Sequence, residues 1–253
     1  MYRELAHAAV WSLRHLRGQL TPPELRLVAP LVKTGDTCLD IGAHAGAWLF
    51  PLGRLVGPTG RVIGFEALPY YARVLRMTKA AVGTPNVVVM NNAVTEDGAS
   101  VRMVWQDASG ARLTGRTHVA GRGEDTAVGV EIAGVTIDAV CAPMPRRICF
   151  VKIDIEGAEL GALRGAFATL RKHRPIVFSE VVEAHLNRYG HTAQMLFSFF
   201  EAMDYRPFSV SGGQLLSTTA SLASTVNDIL FVPAESTESL RATNRVNGPG
   251  GGS

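Results

Sequence analysis

The chain has 253 residues, of which 47% are apolar, and its formal net charge is +3. That length predicts one large domain, or one domain with appendages, and enough apolar side chains for a sizeable core. The mild charge and the lack of a long lysine and arginine block argue against a nucleic-acid partner. No apolar run approaches the roughly 18 to 20 residues of a membrane span. The first residues show no basic region followed by an apolar core, so we predict no signal peptide and a cytoplasmic protein.

Residues 1–34 are predicted to form a helical segment ahead of the main domain. The first 17 residues place Leu5, Ala9, Leu13 and Leu16 near one helical face. The pattern favours a helix that packs on the domain or on a second subunit, which leaves a homodimer open. A helix lying on a membrane surface is a weaker interpretation, because the cationic face is sparse.

The main domain, predicted over residues 35–233, alternates strands with helices. Strands are predicted at residues 37–41, 61–66, 86–94, 149–154 and 176–181, and helices at residues 45–56, 69–82, 158–172 and 192–203. Strands that alternate with helices of this length indicate right-handed βαβ units and a mostly parallel sheet with helices on both faces. The pattern is that of a Rossmann-like α/β fold.

Two regions depart from this alternation. Residues 96–140 hold short alternating runs among glycine, serine, threonine and arginine, which predicts an inserted hairpin with a flexible loop at about residues 107–125. Near the C-terminus, two strands at residues 205–210 and 228–232 have no helix between them and should pair antiparallel. The polar segment 234–253, which ends Pro-Gly-Gly-Gly-Ser, is predicted to be disordered.

The first candidate site is the turn after the first strand, Asp40-Ile41-Gly42-Ala43-His44-Ala45-Gly46. Glycine lets the backbone approach a ligand closely, and a following helix N-terminus offers unpaired N–H groups to a carboxylate. S-adenosylmethionine carries such a carboxylate beside an ammonium group, which Asp40 could hold directly or through water. NAD would require Gly-x-Gly-x-x-Gly to seat its pyrophosphate, and the third glycine is missing here. We therefore predict that the cofactor-binding residues of this turn are Asp40, Gly42, Ala43, His44 and Gly46.

Residues at the ends of the next two strands extend this site. Glu66 ends the second strand, where a carboxylate can accept hydrogen bonds from both ribose hydroxyls of an adenosine cofactor. Ala67 and Leu68 could flank the adenine ring. Asn91 and Asn92 could bond its edge, or simply form a polar turn. Glu66, Ala67 and Asn92 complete the predicted cofactor site.

A second glycine turn follows the fourth strand and carries the carboxylates Asp154, Glu156 and Glu159. Asp154 should face the ligand-binding edge of the sheet, whereas Glu156 and Glu159 could instead complement the dipole of the following helix. Glu180 ends the neighbouring fifth strand and should converge with Asp154. Two carboxylates plus waters suit Mg²⁺, which could orient an acceptor hydroxyl, and a carboxylate pair without metal is the alternative. With His185 as a general base or third ligand, the predicted catalytic residues are Asp154, Glu180 and His185.

With these residues in hand, the chain resembles the FkbM family of S-adenosylmethionine-dependent methyltransferases. The specific part of the match is the run Val151-Lys152-Ile153-Asp154-Ile155-Glu156-Gly157-Ala158-Glu159, supported by the first turn, by Gly64-Phe65-Glu66 and by Glu180. The resemblance spans about residues 35–232. It implies a class I methyltransferase sheet of seven strands, mostly parallel with an antiparallel last strand, and acceptors that are hydroxyls of sugars, glycolipids or polyketide macrolides.

The resulting prediction is an O-methyltransferase that acts on a hydroxyl of a saccharide or glycolipid, a small-molecule or oligosaccharide acceptor, with Mg²⁺ assistance left open. Polar residues of the inserted loop and its borders that suit sugar oxygens are Gln106, Arg112, Thr114, Arg116, His118 and Arg122. A macrolide acceptor would instead need an apolar mouth, for which the candidates are Trp11, Trp48 and Trp105. An NAD-dependent oxidoreductase and a non-catalytic protein that binds S-adenosylmethionine are the alternatives from other classes.

Overall fold

The computed structural model describes residues 2–106, 118–119, 128–211, 214–221 and 228–246. Its helices are α1 (Tyr2–Leu16), α2 (Leu25–Val28), α3 (Leu49–Val56), α4 (Pro69–Val82), α5 (Ile137–Cys141), α6 (Glu159–Arg164), α7 (Phe167–His173), α8 (Glu183–Leu186), α9 (Ala193–Glu201) and α10 (Thr237–Val246). Its strands are β1 (Thr37–Ile41), β2 (Arg61–Phe65), β3 (Val87–Met90), β4 (Ala93–Val94), β5 (Val101–Gln106), β6 (His118–Val119), β7 (Val128–Ile132), β8 (Gly134–Val135), β9 (Ile148–Ile153), β10 (Ile176–Glu180), β11 (Tyr205–Ser211), β12 (Gln214–Ser217) and β13 (Asp228–Pro233).

Eight of the described strands form the central sheet, in the order β12-β11-β13-β10-β9-β1-β2-β3. The strands from β3 to β10 in this order pair in parallel, and β13 runs antiparallel between β10 and β11. The predicted fold class, a Rossmann-like class I methyltransferase sheet with an antiparallel last strand, is confirmed. The predicted count of seven strands is corrected to eight, because β12 adds an edge strand beside β11.

The middle of the sheet is buried on both faces. Every residue of β1 and β9 is buried, as expected for parallel strands that helices cover on both sides. Alternate residues enter different cores: Leu39 and Ile41 pack in one apolar cluster, and Cys38 packs in the other. These largely apolar runs explain why the strands next to the site could be predicted from the sequence.

The described residues of the inserted region 96–140 form a small layer beside the sheet. Strands β5, β6 and β7 make an antiparallel sheet, and β4 pairs with β8 in parallel. Met103 on β5 packs in a small apolar cluster that reaches Ala67 and Leu68, so the insertion covers the turn after β2. Most of the predicted loop at residues 107–125 lies outside the described residues.

Helix α1 packs along α4, but with a different face from the one predicted. Its buried residues are Ala8, Trp11, Ser12 and His15. The predicted apolar stripe that contains Leu5 and Leu13 is exposed instead. The Trp11 ring stacks on Tyr71 of α4, with ring centroids 5.8 Å apart. A tryptophan buries more apolar area than a leucine, so it determines which side of the helix faces inward.

The C-terminal segment also differs from the prediction. Residues 234–246, expected to be disordered, form a short 3-10 turn and then α10. Leu240 on α10 is fully buried, which gives this polar helix an apolar anchor. Residues 247–253 lie outside the described residues. In the part of the chain that the structure describes, none of the helices combines the length and apolar character needed to cross a bilayer.

Candidate cofactor and acceptor site

The turn after β1 is pinned to the end of β2 by backbone and side-chain hydrogen bonds. The N–H groups of Gly42 and Ala43 both donate to the Phe65 carbonyl at 3.0 Å. The His44 N–H donates to Glu66 Oε2, and the Leu68 N–H donates to Glu66 Oε1, each at 2.9 Å. Burial raises the pKa of Glu66 against the lowering effect of these N–H groups. Glu66 therefore joins two turns, and each of its oxygens keeps a lone pair for a further donor.

A cavity of about 230 Å³ opens at this carboxyl edge of the sheet. One part of its wall is apolar and comes from Phe65, Ala67, Leu68, Ala93, Val94 and Met103. The polar part comes from His44, Glu66, Asn92, Asp154 and Glu156. An apolar slot beside convergent polar groups is the usual character of a small-molecule site.

Six of the predicted cofactor residues line this cavity: Gly42, His44, Glu66, Ala67, Asn92 and Asp154. Asn91 does not, because its side-chain amide donates to the Glu66 and Ala67 carbonyls and holds the turn after β2. The three predicted residues outside the lining are Asp40, Ala43 and Gly46. Gly46 lies against the Phe50 ring, and the regular helix α3 starts only at Leu49, later than predicted.

Asp40 lies behind the turn, with 1% of its side chain exposed. Its nearest cation is Lys152, which faces it in the β1–β9 register, and Lys152 Nζ is 3.7 Å from Asp40 Oδ1. Burial raises the pKa of Asp40, and the Lys152 charge opposes that shift. Asp40 does not line the cavity, so the predicted contact with a cofactor ammonium is not a direct one in this arrangement. The residues of the turn lie between the two groups.

Lys152 is the residue that connects the two glycine turns. Its ammonium donates to the Gly42 carbonyl at 2.8 Å and lies 3.4 Å from Asp154 Oδ2. Burial alone would lower the pKa of Lys152, but the carboxylates of Asp154 and Asp40 outweigh burial and raise it. The side chain is 7% exposed, so one buried cation neutralises Asp40 within β1 and Asp154 just after β9.

The second turn holds its carboxylates in different environments. Glu159 Oε1 accepts the N–H groups of Ile155 and Gly157, at 2.9 and 3.1 Å, so this side chain closes the turn. Glu156 has a left-handed backbone, with φ of 58°, and lines the cavity. Asp154 also lines the cavity, and 43% of its side chain is exposed. Asp154 and Glu156 are thus the acids of this turn that a ligand can reach.

His185 on α8 bridges two carboxylates at the border of the cavity. Its Nδ1 lies 3.3 Å from Glu156 Oε2 and 3.7 Å from Glu180 Oε2. Burial, and then the carboxylates of Asp154 and Glu156, raise the pKa of Glu180 to about 7. A carboxylate with that pKa can accept a proton at neutral pH. The predicted catalytic residues thus lie close together. Glu156, for which the sequence also allowed a role at the helix dipole, contacts His185 and connects it to the cavity.

The predicted Mg²⁺ site at Asp154 and Glu180 gains no support from the geometry. Among the described residues, no group of three or more histidine, cysteine, aspartate or glutamate side chains is placed to hold a metal ion. The Asp154 carboxylate already has a cation as its partner, because Lys152 Nζ lies 3.4 Å from Asp154 Oδ2.

Three contributors to the site were missed from the sequence. Lys152 could have been found, because it is a lone cation in an apolar strand, two residues before Asp154 and therefore on the same face. Tyr71 and Met103 line the cavity from α4 and from the insertion, and their sequence surroundings carry no signal for that role. Tyr71 also contacts His44, with ring centroids 5.0 Å apart, and burial lowers the pKa of His44.

Comparison with known proteins places the chain in a family. Residues 40–207 match the family model described as Methyltransferase FkbM domain. No curated protein matches the chain.

Several solved structures are similar to this chain at low identity. Methyltransferase FkbM from Methylobacillus flagellatus KT is 17% identical with a TM-score of 0.48, and the match covers 78% of this chain and 43% of that one. A SAM-dependent methyltransferase from Aquifex aeolicus is 15% identical with a TM-score of 0.45, over 85% and 90% of the two chains. Fibrillarin from Aeropyrum pernix, in complex with natively bound S-adenosyl-L-methionine, is 12% identical with a TM-score of 0.42, over 79% and 67%. The present chain thus spans less than half the length of the Methylobacillus protein.

The matched range contains both glycine turns, Glu66, Lys152 and the carboxylates around His185. It covers well over half of the 253 residues. The chain therefore belongs to the FkbM methyltransferase domain family.

Proposed function

We propose that this chain transfers a methyl group from S-adenosylmethionine to a hydroxyl of a saccharide or glycolipid. One observation carries the proposal beyond family membership: the cavity that Glu66 lines ends beside Asp154 and Glu156, and His185 connects Glu156 to Glu180. This arrangement supports a nucleoside site and a proton acceptor at the same sheet edge. Membership in a methyltransferase family also removes the reason to pursue an NAD-dependent oxidoreductase.

The residues of the cavity fit S-adenosylmethionine by their chemistry. Glu66 is placed to accept the ribose hydroxyls, and the Asn92 amide to bond the adenine edge. The apolar wall that includes Leu68 and Met103 suits the adenine ring. His44 and Asp154 would face the methionine end. When bound, the cofactor supplies an electrophilic methyl group on a sulfonium, so the protein's task is alignment, exclusion of water and removal of a proton.

Glu180 is the group we assign to proton removal. A sugar hydroxyl has a high pKa, so the transfer benefits from a base that takes the proton as the new bond forms. His185 can orient this base, because its Nδ1 contacts both Glu180 and the cavity-lining Glu156. Asp154, held by Lys152, would accept a hydrogen bond from the acceptor and fix its orientation.

The polar character of this border favours a saccharide over a macrolide. Two of the three tryptophans considered for an apolar mouth, Trp11 and Trp48, are buried in the core, and the side chain of Trp105 lies outside the described residues. The carboxylate and imidazole groups beside the cavity are suited to sugar hydroxyls. The identity of the acceptor and of its methylated hydroxyl stays a prediction. The homodimer also stays a prediction.

The test begins with calorimetric titration of S-adenosylmethionine, and separately of NAD, into the purified full chain. We expect saturable binding of S-adenosylmethionine alone. Turnover is then assayed against a panel of saccharides and glycolipids, with and without a chelator, from pH 5.5 to 8.5. Because Glu180 must be ionised to act, the rate should rise with pH and level off above about 7.

Variants separate the base from the cofactor site. Glu180→Gln should lower kcat about 100-fold or more while leaving S-adenosylmethionine affinity unchanged. Glu201→Gln, which changes an exposed glutamate on α9, is the matched control and should behave as wild type. Normal turnover by Glu180→Gln would contradict the assignment of the base, and failure to bind S-adenosylmethionine would contradict the proposed function itself.

A further inference from the structure

Helix α1 exposes an apolar stripe beside the face that packs on the domain. Tyr2, Leu5, Leu13 and Leu16 are 87%, 50%, 48% and 64% exposed, and Ala9 lies exposed between them. Their spacing of three or four residues places them in one line along the helix. The residues that hold α1 to the domain, such as Trp11 and His15, lie on the adjacent face. The stripe is therefore a fixed outer surface of the folded domain.

The charges around this stripe are basic. Arg3, Arg14 and Arg17 are exposed along one flank of the helix. The acid on α1, Glu4, is engaged by Arg73 of α4 at 2.7 Å. Three arginines make a sparse cationic flank, and the new observation is that the leucines beside them are exposed. Such a helix can lie in the interface of a membrane, where leucines enter the acyl boundary and arginines reach lipid phosphates.

A second copy of the chain fits this surface less well. The helix has 15 residues, so its outer face is about 22 Å long and about 10 Å wide. That area is far below the roughly 800 Å² per partner of a stable interface. Two antiparallel copies would also bring Arg14 and Arg17 of one helix towards Arg3 of the other, which places like charges together.

We propose that the outer face of α1 docks this domain on an anionic lipid surface. The apolar stripe supplies partial insertion, and the three arginines supply attraction to lipid phosphates. The inner face of the same helix contacts the cofactor turn: the Trp11 ring lies 5.7 Å from His44, and His15 Nε2 lies 2.8 Å from the Ala45 carbonyl. Docking would hold the wall of the cofactor cavity next to the membrane, whichever acceptor the domain methylates.

The experiment is co-sedimentation of the untagged full chain with vesicles. Vesicles of phosphatidylcholine alone are compared with vesicles of equal phosphatidylcholine and phosphatidylglycerol, at low and high salt. We expect binding to the anionic vesicles that weakens in high salt. The combined variant Leu5→Gln, Leu13→Gln, Leu16→Gln should lose about tenfold or more in affinity. Arg3→Gln, Arg14→Gln, Arg17→Gln should lose about fivefold per arginine.

A matched control removes the same number of exposed apolar side chains elsewhere. Val88→Gln, Met195→Gln, Leu216→Gln alters three other exposed apolar residues and should bind vesicles like wild type. Circular dichroism checks that every variant is folded. Absent binding by wild type, or equal binding by the α1 leucine variant, would overturn the proposal. A dimer in light scattering that dissociates in the leucine variant would also overturn it, because a second copy would then cover the stripe.

Discussion

The two glycine turns, after β1 and after β9, look alike in sequence but have different tasks in the structure. In each, an apolar strand carries an aspartate close to a glycine. Asp40 lies inside β1 and is 1% exposed, whereas Asp154 follows the last residue of β9 and is 43% exposed. The position of the acid relative to the strand end thus decides whether it belongs to the core or to the cavity.

The difference follows from the register of the two neighbouring strands. Ile41 pairs with Ile153, so Asp40 faces Lys152 inside the sheet, and Asp154 emerges at the edge beside Gly42. Lys152 pairs with both acids, and its effect on each is different: it stabilises the buried Asp40 and orients the partly exposed Asp154. A carboxylate near a strand end can therefore be a structural partner or a reactive group, and variants can separate the two roles.

The largest expected effect is that of Lys152→Met. This change leaves the buried Asp40 carboxylate without its cation, which should cost about 3 to 5 kcal/mol in the free energy of unfolding. Urea denaturation at pH 7 measures the loss. Adding Asp40→Asn should recover part of it, because the unpaired charge is then gone. If Lys152→Met unfolds at the same urea concentration as wild type, the ion pair does not support the sheet.

Gly42→Ala should follow in size. Gly42 has φ of 81°, and an added Cβ would lie 2.0 Å from the Asp154 carbonyl oxygen. Separating the two turns enough to admit a methyl group should cost about 3 kcal/mol and weaken cofactor binding. Gly161→Ala is the control, since Gly161 lies in α6 with no atom near its added Cβ. It should be neutral or gain up to about 1 kcal/mol, and equal losses in both variants would contradict the tight contact between the turns.

Glu180→Gln should stabilise the protein, and more so at higher pH. The folded state raises the pKa of Glu180 from 4.5 to about 7, so ionisation disfavours folding as pH rises from about 4.5 through 7. That shift corresponds to about 3 kcal/mol, which solvent at this 29% exposed side chain reduces to about 1 to 2 kcal/mol. Thermal unfolding at pH 5 and pH 8 should show the larger gain at pH 8. A gain that is the same at both pH values would contradict the raised pKa.

The smallest effect on stability is expected from Asp154→Asn. Asp154 is partly exposed, and Lys152 keeps Asp40 as a partner, so the free energy of unfolding should change by less than about 0.5 kcal/mol. Methyl transfer should fall about 100-fold while S-adenosylmethionine still binds. Asp40→Asn should have the opposite effect: the free energy of unfolding should fall more than the rate of methyl transfer does. Wild-type turnover by Asp154→Asn would place the reacting groups elsewhere.

Features that depend on neighbours along the chain could be predicted from the sequence. The strands β1, β2, β9 and β10 follow from largely apolar runs, and Glu66 follows from its place at a strand end. Of the two partners predicted for the apolar face of α1, the domain is wrong, because Leu5 and Leu13 match the helical period as well as Trp11 does, and a second subunit stays a prediction. Only contact with Tyr71 shows which side is buried. Residues 234–246 likewise have a polar sequence that predicts disorder, and only the burial of Leu240 in the core shows why they form a helix.

The sequence by itself determined the alternation of strands and helices, the two glycine turns and the identity of the acids, because hydrophobic period and turn chemistry are local. The tertiary structure decided what those acids do. The ammonium of Lys152 meets the Gly42 carbonyl 110 residues away in the chain, and His185 meets Glu156 across the end of the sheet. Strand register and helix packing bring these groups together, and no local pattern encodes a distance between residues so far apart.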